Sequence, residues 1–151
     1  MKKTIQELIY TLVPAFNELY QMQKVGLVQI PSKINWNIAK NFGKLAVIDR
    51  DLQKFKKEKL YGRVKTDPKG NYLTIMRDNI SVYNFHSPAI EEAFNEEFNA
   101  YISQEIDWNP LKCSIDDIKE VNNFPIGVYQ VFESFDMFTE LNLSANLKSI
   151  K

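Results

Sequence analysis

The chain has 151 residues, zero formal net charge, and 44% apolar, 25% charged and 13% aromatic side chains. That length suits one domain able to bury a core without a metal or crosslink, and that composition excludes general disorder. Its one cysteine, Cys113, excludes an intrachain disulfide and points to a reducing compartment. No apolar run reaches the ~20 residues of a membrane span, and the amphipathic start argues against a signal peptide.

The charge is unevenly spread. Residues 33 to 69 carry eleven Lys or Arg against four acids, and residues 91 to 140 carry twelve acids against two lysines. Three arrangements satisfy such a pattern: pairing within the fold, head-to-tail contacts between subunits, or an anionic ligand on the basic half.

Thr4 to about Gln21 is predicted to be helical, because Ile5, Leu8, Leu12, Ala15 and Leu19 recur at steps of three and four and Ile9 and Phe16 widen the stripe. Pro14 falls inside that pattern, so a bend or two short helices are expected there. Lys24 to Pro31 is short and β-branched and is expected to cross in extended form, with Ser32 capping the next helix. That helix is predicted over Lys33 to about Tyr61. Ile34, Ile38, Asn41, Leu45, Ile48, Leu52 and Phe55 form its heptad-like seam, with Asn41 as the polar register-setting member. Its partner is the first helix folded back antiparallel, or the same seam of another copy.

Beyond Gly62 the pattern changes. Thr66-Asp67-Pro68-Lys69-Gly70 signals a turn, Asn71 to Met76 alternates as a strand, and Arg63 to Lys65 is its expected hairpin partner. Ser87-Pro88 opens a third helix with Ile90, Phe94, Phe98, Tyr101 and Ile102 on its buried stripe. Glu105 to Ile115 reads as extended and offers a second strand to the Asn71–Met76 segment. Ser114-Ile115-Asp116-Asp117 resembles a capping box leading into a short helix. Pro125 to Leu141 is predicted as a helix, and residues 142–151 as a flexible tail. The fold class is therefore α+β and mainly helical: one domain over 1–141, built on a long antiparallel helical hairpin with a small β element and C-terminal helices.

The stretch IPSKINWNIAKNFGKLAVIDRDLQKFKKEKL resembles the central helix of a family of small, uncharacterised phage proteins. These share a proline-ended apolar segment, a K-(I/V)-(N/S)-(W/Y)-x-I-x-K-N helix start, a long charged helix, a turn and a short β-containing tail. The matching positions are Pro31, Lys33, Ile34, Asn35, Trp36, Ile38, Lys40, Asn41 and Leu45, and EIDWNPLKCSIDDI is similar to the family's acidic extended segment. The resemblance covers roughly residues 27 to 118 and implies a phage origin, with residues 119 to 151 outside it.

Catalytic patterns are lacking. His86 is the one histidine, and HExxH, CxxC, GxSxG and a phosphate-cradling glycine loop are all missing. Cys113 reads as a packing residue, and Glu91, Glu92, Glu96 and Glu97 as a solvated helix face rather than a cation site. No enzyme activity, cofactor or metal is expected. The lysines of the long helix are spread around it and interrupted by Asp49, Asp51 and Glu58, which argues against a nucleic-acid polymer as partner. A small anionic ligand needs less. Trp36, Lys40 and Lys44 share one strip at four-residue steps, and with Arg50 they are the candidate ligand-binding residues: the indole for stacking, the cations for phosphate. The expected function is a non-catalytic phage accessory protein in the host bacterial cytoplasm. It would act as a homo-oligomer, blocking a host immune protein or sequestering a nucleotide-derived signal. The alternative is a virion or morphogenesis component.

Overall fold

The computed structural model describes residues 1–139; the tail predicted over 142–151, and residues 140–141 of the last predicted helix, lie outside the described residues. The chain is mainly helical α+β. In order it forms β1 (Lys2–Thr4), α1 (Ile5–Glu7), a π-helical turn (Leu8–Leu12), α2 (Val13–Lys24), α3 (Ser32–Leu60), β2 (Thr74–Arg77), β3 (Ile80–Tyr83), α4 (Pro88–Ile102), β4 (Glu105–Asp107), α5 (Ile115–Lys119) and α6 (Ile126–Ser134). Two compact units result among the described residues: Met1–Val47 with residues 105–139, and Ile48–Gln104. No helix among the described residues is long and apolar enough to cross a membrane.

In the first unit, Thr4 starts the helix with a reciprocal cap: its hydroxyl accepts the Glu7 N–H at 3.1 Å while the Glu7 carboxylate accepts the Thr4 N–H at 2.7 Å. That backbone hydrogen bond from Thr4 is the main reason the Glu7 carboxyl lies below its ordinary range. Pro14 is accommodated without separating two helices. The Val13 N–H reaches back to the Leu8 carbonyl, closing a wider turn, and Pro14 then enters as the second residue of α2, where a missing N–H costs little. Gly26, at φ +80°, ends the run: its N–H bonds the Gln23 carbonyl and the Leu27 N–H bonds the Met22 carbonyl. Pro31, not Ser32, stands at the cap of α3, since its carbonyl accepts the Asn35 N–H and Ser32 is already helical.

The chain therefore turns back on itself, and the pairing is antiparallel. Gln23 lies opposite Asn35, and seven residues back on α2 and seven forward on α3 the Phe16 and Phe42 rings are 5.5 Å apart. Leu8, Leu12, Leu19, Ile38 and Leu45 fill the space between and below, joined by Val128 and Phe132 of α6. The Phe132 ring sits 4.9 Å from Phe16. Helix α6 ends seven residues before the predicted Leu141. Asp136 takes the left-handed conformation at φ +58°, and the Asp136 and Met137 N–H groups bond back to Glu133 and Phe132, so Phe135, Met137 and Phe138 enter the core from beyond the helix. Ser114 precedes α5 as predicted, but its side chain makes no capping bond; of the box only the position is realised.

Strand β4 pairs with β1, not with the strand after Gly70. The register sets Lys2 against Asp107 and Thr4 against Glu105, with Lys2 Nζ 2.8 Å from Asp107 Oδ1.

In the second unit, β2 and β3 form a two-residue hairpin through Asp78 and Asn79, both at positive φ (53° and 63°), the backbone a type I′ turn demands. The predicted partner Arg63–Lys65 does lie beside it: the Lys65 carbonyl accepts the Leu73 N–H at 2.8 Å, the Lys65 N–H donates to the Asn84 carbonyl at 2.8 Å and the Arg63 carbonyl accepts the His86 N–H at 2.9 Å, with antiparallel bridges Val64↔Phe85 and, next to it, Thr66↔Tyr72. Leu60, Val64 and Phe94 form the core here with Tyr72, Tyr83, Phe85 and Phe98 packed around them. Helix α4 begins as predicted, Ser87 Oγ accepting the Ile90 N–H at 3.2 Å. Two of its four acids are engaged by cations: Arg63 grips Glu97 with two bonds, at 2.7 and 3.3 Å, and Arg77 grips Glu91 at 2.9 Å.

Candidate binding surface on the helical hairpin

The first half of α3 presents four sides. At 3.6 residues per turn, Ile34, Ile38, Asn41 and Leu45 share the side that is buried. Asn37, Asn41 and Lys44 lie along one flank of it, Asn35, Ala39 and Phe42 along the other, and Trp36 and Lys40 opposite it.

The first flank is closed by backbone. Asn41, fully buried, donates from Nδ2 to the Leu111 carbonyl at 2.8 Å and accepts the Leu111 N–H on Oδ1 at 2.8 Å, the two bonds a neighbouring β-strand would make. One turn earlier Asn37 donates to the Lys112 carbonyl at 3.2 Å, and one turn later Lys44 Nζ donates to the Asn109 carbonyl at 2.6 Å. The seam asparagine thus fixes an extended segment on the helix, not a helix-to-helix register. The same segment is anchored from beneath. Trp108, buried, donates from Nε1 to the Phe135 carbonyl at 2.9 Å, and Cys113 exchanges backbone bonds with Met137 and Thr139. Cys113 is a buried free thiol; burial raises it above its ordinary value, a hydrogen bond with Asn37 opposes that and the Asp117 charge adds to it.

The outer side holds Trp36 and Lys40 of the predicted strip, while Lys44 turns to the closed flank. Trp36 is 59% exposed, and Lys40 Nζ lies 5.2 Å from the centre of its ring, within cation–π range. Lys44 shares their end of the helix but spends one N–H on Asn109, leaving two donors. Arg50 is exposed and belongs to the second unit. Lys33, at the start of the helix, lies 3.7 Å from Asp117.

Comparison with protein-family models, curated proteins and solved structures gives no match for this chain.

The second flank is open. A groove of about 450 Å³ runs between α2 and α3, lined by Phe16, Asn17, Leu19, Tyr20 and Gln23 on one wall and Asn35, Ile38, Ala39 and Phe42 on the other. Tyr20 and Phe42 expose 61% and 40% of their surface at its mouth. The sequence strip missed this groove because it counted residues on α3 alone; the signal available was that Phe16, Tyr20 and Gln23 repeat along α2 beside its buried stripe. Among the described residues, no group of three or more His, Cys, Asp or Glu side chains is gathered to hold a metal ion.

Proposed function

We propose that this chain is a non-catalytic phage accessory protein that acts by stoichiometric binding, blocking or sequestering a component of bacterial antiviral immunity in the host cytoplasm. The observation that carries the reading is the outer side of α3. An indole more than half exposed stands on a rigid helix with an ammonium group over its ring. Tryptophan is among the side chains enriched at the energetic centres of protein interfaces. The phage origin rests on the KINWNIAKN helix start.

Two forms of the proposal differ in what meets the indole. In the first, a host immune protein covers Trp36 and Lys40. In the second, copies of the chain assemble and hold a nucleotide-derived signal between them, Trp36 stacking on the base while Lys40 and Lys44 meet phosphates. The first is favoured, because Trp36 and Lys40 stand on a convex side and the groove of this unit opens elsewhere. Calorimetry against cyclic and adenosine-derived signals, with light scattering for the oligomeric state, separates them. Heat that disappears in Trp36→Ala supports the second form. No heat, together with a host protein captured by the parent chain and released by Trp36→Ala, supports the first. No heat with any of these signals, together with no host protein captured, sinks both forms.

A virion or morphogenesis role is the second reading, favoured by Met76 and Ile80, which are exposed on the β2–β3 hairpin as an assembly contact would be. Finding the chain by mass spectrometry in purified particles supports that role.

A further inference from the structure

We propose that the groove between α2 and α3 is a binding site for an uncharged, planar heteroaromatic molecule with a hydrogen-bond donor and acceptor side by side on its edge, the chemistry of a purine nucleobase. None of Trp36, Lys40 or Lys44 lines this groove, so the site stands apart from the outer side of α3.

The lining decides the class. The Phe16 and Phe42 rings, 5.5 Å apart and tilted by 41°, form the aromatic end, with Ile38 and Leu19 as an apolar floor. Three carboxamides, Asn17, Gln23 and Asn35, and the Tyr20 phenol line the same space. Gln23 Nε2 and Asn35 Oδ1 are 3.5 Å apart, at the outer limit of a hydrogen bond, so either amide can turn to a ligand with little loss. A carboxamide is a planar fork of one donor face and one acceptor, which pairs with two adjacent edge atoms of a purine. The volume of about 450 Å³ is that of a small-molecule site.

The same lining disfavours other occupants. It holds no Lys, Arg, Asp or Glu, so neither a phosphate nor a cation finds its countercharge inside. An apolar helix, from a second copy or another protein, would bury carboxamides without partners, a cost of the kind that buried polar groups otherwise avoid. A flat ring with polar edges meets both halves of the lining at once.

The test uses the full chain and four probes: adenosine, guanosine, adenosine 5′-monophosphate and toluene, read by calorimetry and ligand-observed NMR. Ala39→Phe fills the groove from an exposed helical position, and Ala39→Leu does so more gently should the larger ring disturb the fold, which circular dichroism and thermal melting report. The double change Gln23→Leu with Asn35→Leu removes the facing pair of carboxamides and keeps the volume. Expected are a nucleoside bound, ~10-fold or greater weakening in either Ala39 variant, and a loss of similar size in the double variant that leaves toluene unaffected. The proposal is overturned if neither nucleoside binds up to millimolar concentration, if filling the groove changes nothing, or if toluene binds as tightly as the nucleosides. Binding of the monophosphate alone, lost in Lys40→Ala and retained in Ala39→Phe, also overturns it and moves the ligand to the Trp36 side.

Discussion

On one flank of α3, Asn37 and Asn41 give their carboxamides to the backbone of Leu111 and Lys112; on the other, Asn35 faces only Gln23, across 3.5 Å. The residue type is the same and the helix is the same. What differs is whether an extended segment lies alongside. Where it does, asparagine satisfies peptide groups that have no strand to pair with; where it does not, asparagine is left with spare capacity at the edge of a groove. The comparison separates polar residues that hold the fold from polar residues available to a ligand.

The largest expected effect breaks the closed flank. Asn41→Ala removes two 2.8 Å bonds, leaves a void at a fully buried position and strips the Leu111 peptide groups of their partner. A destabilisation of about 2–4 kcal/mol is expected by urea denaturation. Asn35→Ala, the matching change on the open flank, is expected within about 0.5 kcal/mol of the parent. Equal losses at both positions would abolish the distinction.

Next comes the support beneath that flank. Trp108→Phe keeps most of the buried apolar surface but leaves the Phe135 carbonyl without its indole donor, and a loss of about 1–2 kcal/mol is expected. A change no larger than that of Asn35→Ala would mean the segment is held from the α3 side alone.

How far this division was legible in the sequence follows from the range of the interactions. Helices α3 and α4 announce themselves because periodicity and end signals act within a few residues, as the Ser87 hydroxyl on the Ile90 N–H shows. The exposure of Trp36 was legible too, since it lies opposite the Ile34–Ile38 side by helical pitch alone. The closed flank was not, because nothing on α3 records that residues 109–112 return to it some seventy positions later. Pairing of β1 with β4 left only one trace, Lys2 set against Asp107, and three-residue strands are too short for alternation to speak. The β2–β3 turn was hidden because Asp78-Asn79 lacks the glycine that usually marks a type I′ turn.

A smaller effect concerns the outer side of α3. Gly43 sits in mid-helix, and a Cβ added there would meet nothing within 4 Å, so the chain itself gives no reason for glycine. Gly43→Ala is expected to stabilise by about 1 kcal/mol through helix propensity alone. If the same variant loses affinity for a partner that Trp36→Ala also releases, the glycine serves close approach on that side. Unchanged affinity leaves the interface to Trp36 and Lys40.

The smallest effect is a pH dependence at the β1–β4 pair, which closes the unit far from either flank in sequence. The hydrogen bond from the Lys2 ammonium, reinforced by its charge, holds the Asp107 carboxyl below its ordinary value, and the same pair raises Lys2. A carboxyl depressed in the folded state stabilises fully above its unfolded value, and that contribution is lost as pH falls through the lower folded one. Asp107→Asn is therefore expected to melt slightly below the parent at neutral pH and to converge with it in strong acid. The two side chains are 61% and 68% exposed, so the gap at neutral pH is also expected to shrink in high salt. A gap that persists in acid would assign the role of Asp107 to strand geometry rather than to charge, leaving the 2.8 Å contact as a consequence of the β1–β4 register instead of a support for it.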